Sequence, residues 1–525
     1  MANLYALNLI NTQIVGFFEL GYDSCMSNAD RKKSLMVSVG LFLSSLIALS
    51  SWAVSSPVAA SPDESVHLAG IWCANGPASG QCAIAEDGRP IVPAKLNNWC
   101  YQHFQNESAK CTSRIEGNEA ITIRAATKPN VITRGLELFV GNEIGTRVVL
   151  MRLLTIAFLL SLVAALFSLS DKRHRAAIVL TCSIVFVPSG LYFISAIHPS
   201  GLASVFLLIF GITVSQMVKM KIENRKPQVM LVALMFASLL LSLQIRSEAF
   251  IFAVAISFLF LATTWLSESK LTFRHKTFLV TAALAVLGIS VVVLTRYTSL
   301  PLTLNVWGTP INPERANWNI MTTNFQQLPS MYLGNFGYWA LGALDVPLPA
   351  IVWTSVGIVF VGAVTVNALT SSVRNLLFGT LVFLFSAALI LSILKSSKLY
   401  VGEQMQPRYI LPFVAMGFAI FIANGRVAMP DRSNFVYLSS IAVALLGMAN
   451  SISLWTTLRR YTSGLDVGEL DLNYNREWWW NFPLDPNQVW FLGTVSFGTA
   501  VSLGIYSVVH TKSNRSLQGI EGSRI

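Results

Sequence analysis

The feature that most constrains this chain is a series of apolar segments, each long enough to cross a bilayer. A hydrocarbon core about 30 Å thick needs roughly 20 apolar residues in a helix. A window of that length predicts twelve spans, at about 34–54, 148–169, 177–195, 201–218, 228–244, 249–266, 277–295, 349–370, 376–394, 409–424, 434–455 and 488–509. Charged residues make up only 12% of the 525 residues, about half the share usual in soluble domains. We therefore expect an all-α polytopic membrane protein.

The positions of the basic residues predict which side of the membrane each loop faces. The formal net charge is +11, which in a soluble protein would suggest a nucleic-acid partner. With a cytoplasmic N-terminus, 19 Lys and Arg residues fall in inside segments and nine in the outside segments after the first long loop. Short inside loops are enriched in Lys and Arg. Both termini are therefore predicted to be cytoplasmic, and no nucleic-acid partner is expected.

The predicted spans divide the chain into three parts. These are a cytoplasmic N-terminal segment (1–33), a transmembrane core with extracytoplasmic loops 55–147 and 296–348 (34–424), and C-terminal helices with extracytoplasmic loop 456–487 and a cytoplasmic tail (425–525). The outside loops are expected to form a small cap on the helices.

The first long outside loop contains four of the six cysteines, Cys73, Cys82, Cys100 and Cys111. Four cysteines in a translocated segment predict two disulfides in an oxidising compartment. Three pairings are possible, and Cys73–Cys82 with Cys100–Cys111 is the simplest. A zinc site is the alternative, although the spacing contains no Cys-x-x-Cys pair.

The polar segment just after the first span has a structural and a functional interpretation. Ser61 as N-cap, Pro62 at the first helical position and Glu64 three residues after the cap form a capping box. That interpretation leaves Asp63 and His67 unexplained. They are four residues apart and project from one helical face. An acidic group beside a histidine can serve as a general base or bind a divalent cation.

Two further segments place arginines at the predicted outer surface. Arg246 and Glu248 interrupt the apolar stretch 228–266, and Arg408 with Tyr409 leads into the span at 409–424. Charges at such positions are costly and often mark functional sites. Arg246 and Glu248 form either an interfacial ion pair or part of an anion site. Because a guanidinium matches phosphate geometry, Arg408 and Arg246 are candidates for binding a lipid phosphate, together with the neighbouring Tyr409.

Other candidates have plain structural alternatives. His198 lies in a tight outer turn, and a lone histidine there is either structural or a site residue. Asp345 precedes a span and either caps it or neighbours the site. Trp478, Trp479 and Trp480 lie in the last outer loop. They form either an interfacial aromatic belt or a platform on which an acceptor sugar stacks.

Three motifs in order resemble a family of bacterial polytopic membrane proteins called domain of unknown function 2142. They are Pro-Asp-Glu at 62–64 followed by His67, the Asp345 segment at 341–349, and Gln-Pro-Arg-Tyr-Ile-Leu-Pro at 406–412. The last differs from the family's signature, which has glycine where this chain has Pro407. The resemblance covers about residues 34–424.

The resemblance implies an architecture similar to the GT-C glycosyltransferases, which use polyprenyl-phosphate sugars. It gives Asp63, with Glu64 as runner-up, the role of catalytic base, and Arg408 that of donor-phosphate ligand. The implied partners are a polyprenyl-phosphate-linked sugar, a glycan or glycolipid acceptor and membrane lipid. The implied location is the bacterial cytoplasmic membrane, with the active site on its outer face. A transporter or flippase, and a non-catalytic subunit of a polysaccharide assembly complex, are the alternatives.

Overall fold

The computed structural model describes residues 28–79, 82–97, 100–115, 120–122, 129–219, 225–267, 312–425 and 432–510, and most of these are helical. In chain order the helices are α1 (Asn28–Val54), α2 (Glu64–Trp72), α3 (Val131–Glu137), α4 (Ile144–Leu169), α5 (Lys172–Leu180), α6 (Ser189–Ile194), α7 (Pro199–Lys219), α8 (Arg225–Ile245), α9 (Ser247–Ser267), α10 (Asn317–Leu333), α11 (Ala350–Thr370), α12 (Val373–Ser397), α13 (Leu411–Asn424), α14 (Arg432–Thr462) and α15 (Pro486–His510).

Nine helices in the described ranges are long and apolar enough to cross a membrane. They are α1, α4, α7, α8, α9, α11, α12, α14 and α15, and each coincides with a predicted span. Their outward faces carry large apolar side chains, such as Phe258 on α9 and Leu369 on α11, which are 64% and 82% exposed. Such exposure is unfavourable in water but not in lipid. The chain is a multi-pass membrane protein.

Two predicted spans are not single long helices. The segment 177–195 consists of α5, a π-helical turn at Thr181–Val185 and α6. The break precedes Pro188, which has no backbone N–H to continue a helical ladder. The segment 409–424 contains only the 14 residues of α13, about 21 Å of helix against a core of about 30 Å. The predicted span 277–295 lies outside the described residues.

Helix α13 is short and is enclosed by protein on nearly all sides. Every one of its residues except Val414 is buried, and it packs along α7 and against α5, α9 and α12. At Gly211 of α7 an added Cβ would lie 2.7 Å from Met416 Cγ, so glycine permits the close helix approach. The start of α13 is thereby fixed relative to α7 and α9.

The described residues between 55 and 143 form a small disulfide-bonded cap that packs on the helices. It contains α2, α3 and an antiparallel sheet in the order β1 (Ala83–Ile84), β2 (Pro90–Pro93) and β3 (Ala120–Thr122), with Ile91 opposite Ala83 and Thr122. The predicted disulfide pairing is confirmed, since Cys73 is bonded to Cys82 and Cys100 to Cys111. All four sulfurs are used, so the zinc-site alternative is wrong.

Candidate functional site

Two predicted site residues 345 positions apart, Asp63 and Arg408, are in direct contact. Arg408 Nη2 donates to Asp63 Oδ2 over 2.8 Å. The Asp63 side chain is 59% exposed, whereas that of Arg408 is only 5% exposed. Arg408 Nε and Nη1 are buried and have no hydrogen-bond partner among the described residues. A buried guanidinium with unused donors is costly, and such a group in a native fold suggests a binding role.

The backbone around Asp63 differs from the predicted capping box. The helix α2 begins at Glu64, and Asp63 is its N-cap, with a φ of 58° in the left-handed region. This conformation is uncommon for residues other than glycine and is typical of functional sites. Ser61 was predicted as the cap, but its hydroxyl has no partner among the described residues. Only one of the two capping-box hydrogen bonds is present, the one that Ser61 N–H donates to Glu64 Oε2.

Arg246 lies beside Arg408 through a shared tyrosine ring. The Arg246 guanidinium carbon is 4.8 Å from the centre of the Tyr409 ring, and that of Arg408 is 5.2 Å from it. Arg246 Nη1 donates to Ser200 Oγ over 2.6 Å, and its Nε lies 3.7 Å from Glu248 Oε2. Arg246 therefore belongs both to the predicted ion pair and to the cluster around Arg408.

Two neutral histidines complete the cluster. The rings of His67 and His198 meet edge to face, with centroids 5.5 Å apart. Burial lowers the pKa of His67 to about 4, against the opposing effect of Asp63, and Arg246 and Arg408 lower it further. Burial also lowers the pKa of His198, as do Arg408, His67 and Arg246. Both rings are therefore uncharged at neutral pH.

Four helices begin at this cluster. Asp63 directly precedes α2, His198 precedes α7, Arg246 precedes α9, and the turn Pro407–Tyr409 leads into α13. Each helix start carries a partial positive charge of about half a unit. Together with the two guanidinium groups and the two neutral imidazoles, these helix starts make the cluster suited to bind an anion.

The same residues do not suit a divalent cation. The sequence suggested that Asp63 and His67 could hold one, but no group of three or more metal-ligating residues occurs in the described ranges. Asp63 is the carboxylate in contact with Arg408, and the Arg246 guanidinium lies on the same tyrosine ring as that of Arg408. Two neighbouring guanidinium groups repel a divalent cation.

Glu64 occupies a separate structural ion pair. Arg152 Nη2 donates to both of its carboxylate oxygens over 2.9 Å, and both side chains are 0% exposed. Glu64 Oε1 also accepts from the backbone N–H of Ile197. Its oxygens are fully used, so we assign Glu64 to the fold and not to catalysis.

Asp345 also lies in an enclosed ion pair. Arg460 Nη2 donates to Asp345 Oδ2 over 2.8 Å, and both side chains are 0% exposed. Burial raises the pKa of Asp345, and Arg460 opposes this shift. The cap prediction for Asp345 is wrong, because α11 begins after Pro349. Arg460 falls within the predicted outer loop 456–487, but in the structure it lies in the last turn of α14.

The three tryptophans form a half-buried group of their own. The Trp478 ring centroid lies 6.1 Å from that of Trp479 and 5.1 Å from that of Trp480. The indole N–H of Trp479 donates to Leu484 O, and that of Trp480 donates to Val54 O. The bond from Trp480 ties the last loop to the end of α1. Acceptor stacking on these rings stays a prediction.

Sequence reasoning missed two residues that support the site. Ser200 could not be singled out as a site residue from the sequence, because serine is common at helix starts. Arg152 is a charge within the membrane-length helix α4. The rule that intramembrane charges have specific partners would have found Arg152, though not its partner Glu64.

A comparison with models of protein families assigns the chain to a family. The family model described as a predicted membrane protein, domain of unknown function 2142, matches residues 46–416. The chain belongs to this family. All three predicted motifs of the 2142 family lie within the match, and two of them supply the Asp63–Arg408 contact. Comparisons with curated proteins and with solved structures give no significant match.

Proposed function

We propose that this 2142-family protein transfers a sugar from a polyprenyl-phosphate donor to a glycan or glycolipid acceptor at the extracytoplasmic face. The observation that carries the proposal is the contact between the exposed carboxylate of Asp63 and the buried guanidinium of Arg408. A base and a phosphate ligand must be neighbours in such a reaction, since the attacked carbon is bonded to the leaving phosphate.

The charges at the site favour a phosphate group. Arg408 has Nε and Nη1 free to donate among the described residues, and a guanidinium binds phosphate through paired, charge-assisted hydrogen bonds. Arg246 and the four helix starts add positive potential, which Glu248 partly offsets, since its Oε2 lies 3.7 Å from Arg246 Nε and its side chain is half exposed. These groups would stabilise the negative charge that develops as the phosphate leaves.

The proposed reaction requires Asp63 to change partner. When the donor binds, its phosphate takes the place of Asp63 at Arg408. The released carboxylate accepts the proton of an acceptor hydroxyl, and the acceptor oxygen bonds to the anomeric carbon. The bond between that carbon and the phosphate oxygen breaks, and the phosphate keeps the electron pair. The 59% exposure of the Asp63 side chain gives an acceptor access to it.

The setting of the site suits a lipid-linked donor. Arg246 lies between the membrane-length helices α8 and α9, and His198 at the start of α7. A polyprenyl chain could therefore lie in the bilayer while its phosphate reaches the cluster. The acceptor, which comes from the aqueous side, would meet the exposed face of Asp63.

A transfer assay tests the proposal. The full-length protein in lipid nanodiscs would be incubated with polyprenyl-phosphate-linked radioactive sugars and an extract of envelope glycans. We expect incorporation by the wild type and a loss of 10²-fold or more in Asp63→Asn, as for removal of a general base. Asp87→Asn, which alters an exposed Asp–Arg pair in the cap, serves as the matched control. Full activity of a folded Asp63→Asn protein would refute the proposed role of Asp63.

One observation favours a lipid flippase as the second candidate. The segment from α5 to α6 is interrupted by a π-helical turn, and broken helices near polar residues are typical of transporters. A flippase would move polyprenyl phosphate across vesicle membranes and give no sugar transfer. A non-catalytic assembly subunit would do neither alone.

A further inference from the structure

Ser200 links the two halves of the candidate site. It is fully buried in the first turn of α7. Its hydroxyl oxygen accepts from Arg246 Nη1 over 2.6 Å, and its backbone N–H donates to His198 Nδ1 over 3.0 Å. One residue thus contacts both the arginine at the start of α9 and the histidine that faces His67.

The bond to Ser200 determines how the His198 ring is placed. Because Nδ1 accepts a hydrogen bond, the proton of the neutral ring is on Nε2. The backbone of Pro62 lies near this ring and opposes the lowering of its pKa, so the ring neighbours the residue directly before Asp63. Through His198, Ser200 connects α7 to the backbone turn that presents Asp63.

The bond to Ser200 also determines where Arg246 points. The other close groups are the Tyr409 ring face, at 4.8 Å, and the Glu248 carboxylate, at 3.7 Å and half exposed. A ring face and a half-exposed carboxylate at 3.7 Å constrain the direction of the guanidinium only weakly. The 2.6 Å hydrogen bond that Arg246 Nη1 donates to the fully buried Ser200 Oγ constrains it strongly.

We propose that Ser200 is a positioning residue that holds Arg246 in the orientation needed to bind the donor phosphate. This inference rests on the proposed function, since it assigns Arg246 to the phosphate. Ser200 itself does not touch the phosphate. Its effect on donor binding therefore passes through Arg246 and disappears when Arg246 is absent.

A mutant cycle on the full-length protein in nanodiscs tests this. The affinity for polyprenyl phosphate would be measured for the wild type and for Ser200→Ala, Arg246→Ala and the double variant. We expect Ser200→Ala to weaken binding about tenfold, as for a lost charge-assisted bond. The same change should have no further effect in the Arg246→Ala background, because the bond it removes is already absent. The sugar-transfer KM should rise with little change in kcat.

Ser204→Ala is the matched control, because Ser204 is one turn further along α7 and equally buried, and its hydroxyl donates to Ser200 O. The inference about Ser200 would be overturned if Ser200→Ala and Ser204→Ala changed the affinity equally. It would also be overturned if Ser200→Ala had its full effect on affinity in the Arg246→Ala background. Neither result would contradict the proposed function. Failure of the wild type to bind polyprenyl phosphate would overturn the proposed function as well. If Ser200→Ala does not fold, Ser200→Thr and Ser200→Val provide the comparison, since they match in shape and differ by the hydroxyl. Equal affinities of that pair would also contradict the inference.

Discussion

Asp63 and Glu64 are consecutive carboxylates, and each is paired with an arginine. The two pairs differ in the exposure of the carboxylate and in the number of hydrogen-bond donors left unused on the arginine. The Glu64–Arg152 pair is 0% exposed on both sides, and the carboxylate oxygens are bound by several donors. The Asp63–Arg408 pair has a 59% exposed carboxylate and an arginine with two unused donors. The first pair is saturated, and the second can bind something else.

The difference separates a structural pair from a functional one. A saturated buried pair has no capacity left for a ligand, and losing one partner leaves a buried charge without compensation. In the Asp63–Arg408 pair the carboxylate is largely exposed and is hydrated when it leaves, whereas the buried guanidinium then requires another anion. Substitutions at the two neighbouring positions should therefore affect different properties of the protein.

The largest expected effect is on stability, at the saturated pair. We expect Glu64→Gln to lower the free energy of unfolding by about 3–5 kcal/mol, because Arg152 would stay buried without its counter-charge. Unfolding in mixed micelles would measure this. Glu137→Gln is the matched control, since Glu137 is buried and accepts from Asn75 N–H and Ser79 Oγ. The glutamine oxygen can still accept from Asn75 N–H, and its amide can donate to the Ser79 hydroxyl oxygen. A Glu64→Gln protein as stable as the wild type would contradict the structural assignment.

The contrast between these pairs could be predicted only in part from the sequence. Scarcity of charge in an apolar chain singled out Asp63, Arg246 and Arg408, and the structure brings all three together. The sequence could not show which of Asp63 and Glu64 faces solvent, because that depends on the left-handed turn at Asp63. It also could not pair Glu64 with Arg152, since partners 88 positions apart are chosen by the packing of α4.

The next largest effect is on donor binding, at the exposed pair. We expect Asp63→Asn to raise the affinity for polyprenyl phosphate about tenfold, because a negative charge a few ångströms from the phosphate is removed and no longer competes for Arg408. Stability should fall by less than in Glu64→Gln, because the Asp63 carboxylate is largely exposed whereas Glu64 is fully buried. Equilibrium binding in nanodiscs would measure the affinity, with Asp87→Asn as the control.

This measurement also separates catalysis from competition. An Asp63→Asn protein with unchanged or weaker donor affinity would show that Asp63 does not occupy the phosphate position at rest. The role of Asp63 as base could still stand on the transfer assay.

The helical architecture was more predictable than the site, for a physical reason. Nine spans follow from apolar length alone, because lipid demands about 20 apolar residues in a row. The two segments that differ, 177–195 and α13, are equally apolar but face protein instead of lipid. Composition does not distinguish those surroundings, so the sequence predicts a span where α13 is a helix of only 14 residues.

A further expected effect is the pH dependence of stability around the Asp63–Arg408 pair. The pKa of His67 is lowered from 6.5 to about 4 in the folded protein, so below pH 6.5 the unfolded chain binds a proton that the folded site does not. The free energy of unfolding should therefore fall as the pH decreases from 6.5 towards 4. We expect His67→Gln, which cannot be protonated, to lose less stability over that range than the wild type. Thermal unfolding at pH 7.5, 5.5 and 4.5 would measure this, and His103→Gln at an exposed histidine of the cap should behave like the wild type. Identical pH profiles for His67→Gln and the wild type would show that His67 is not held neutral beside Asp63 and Arg408.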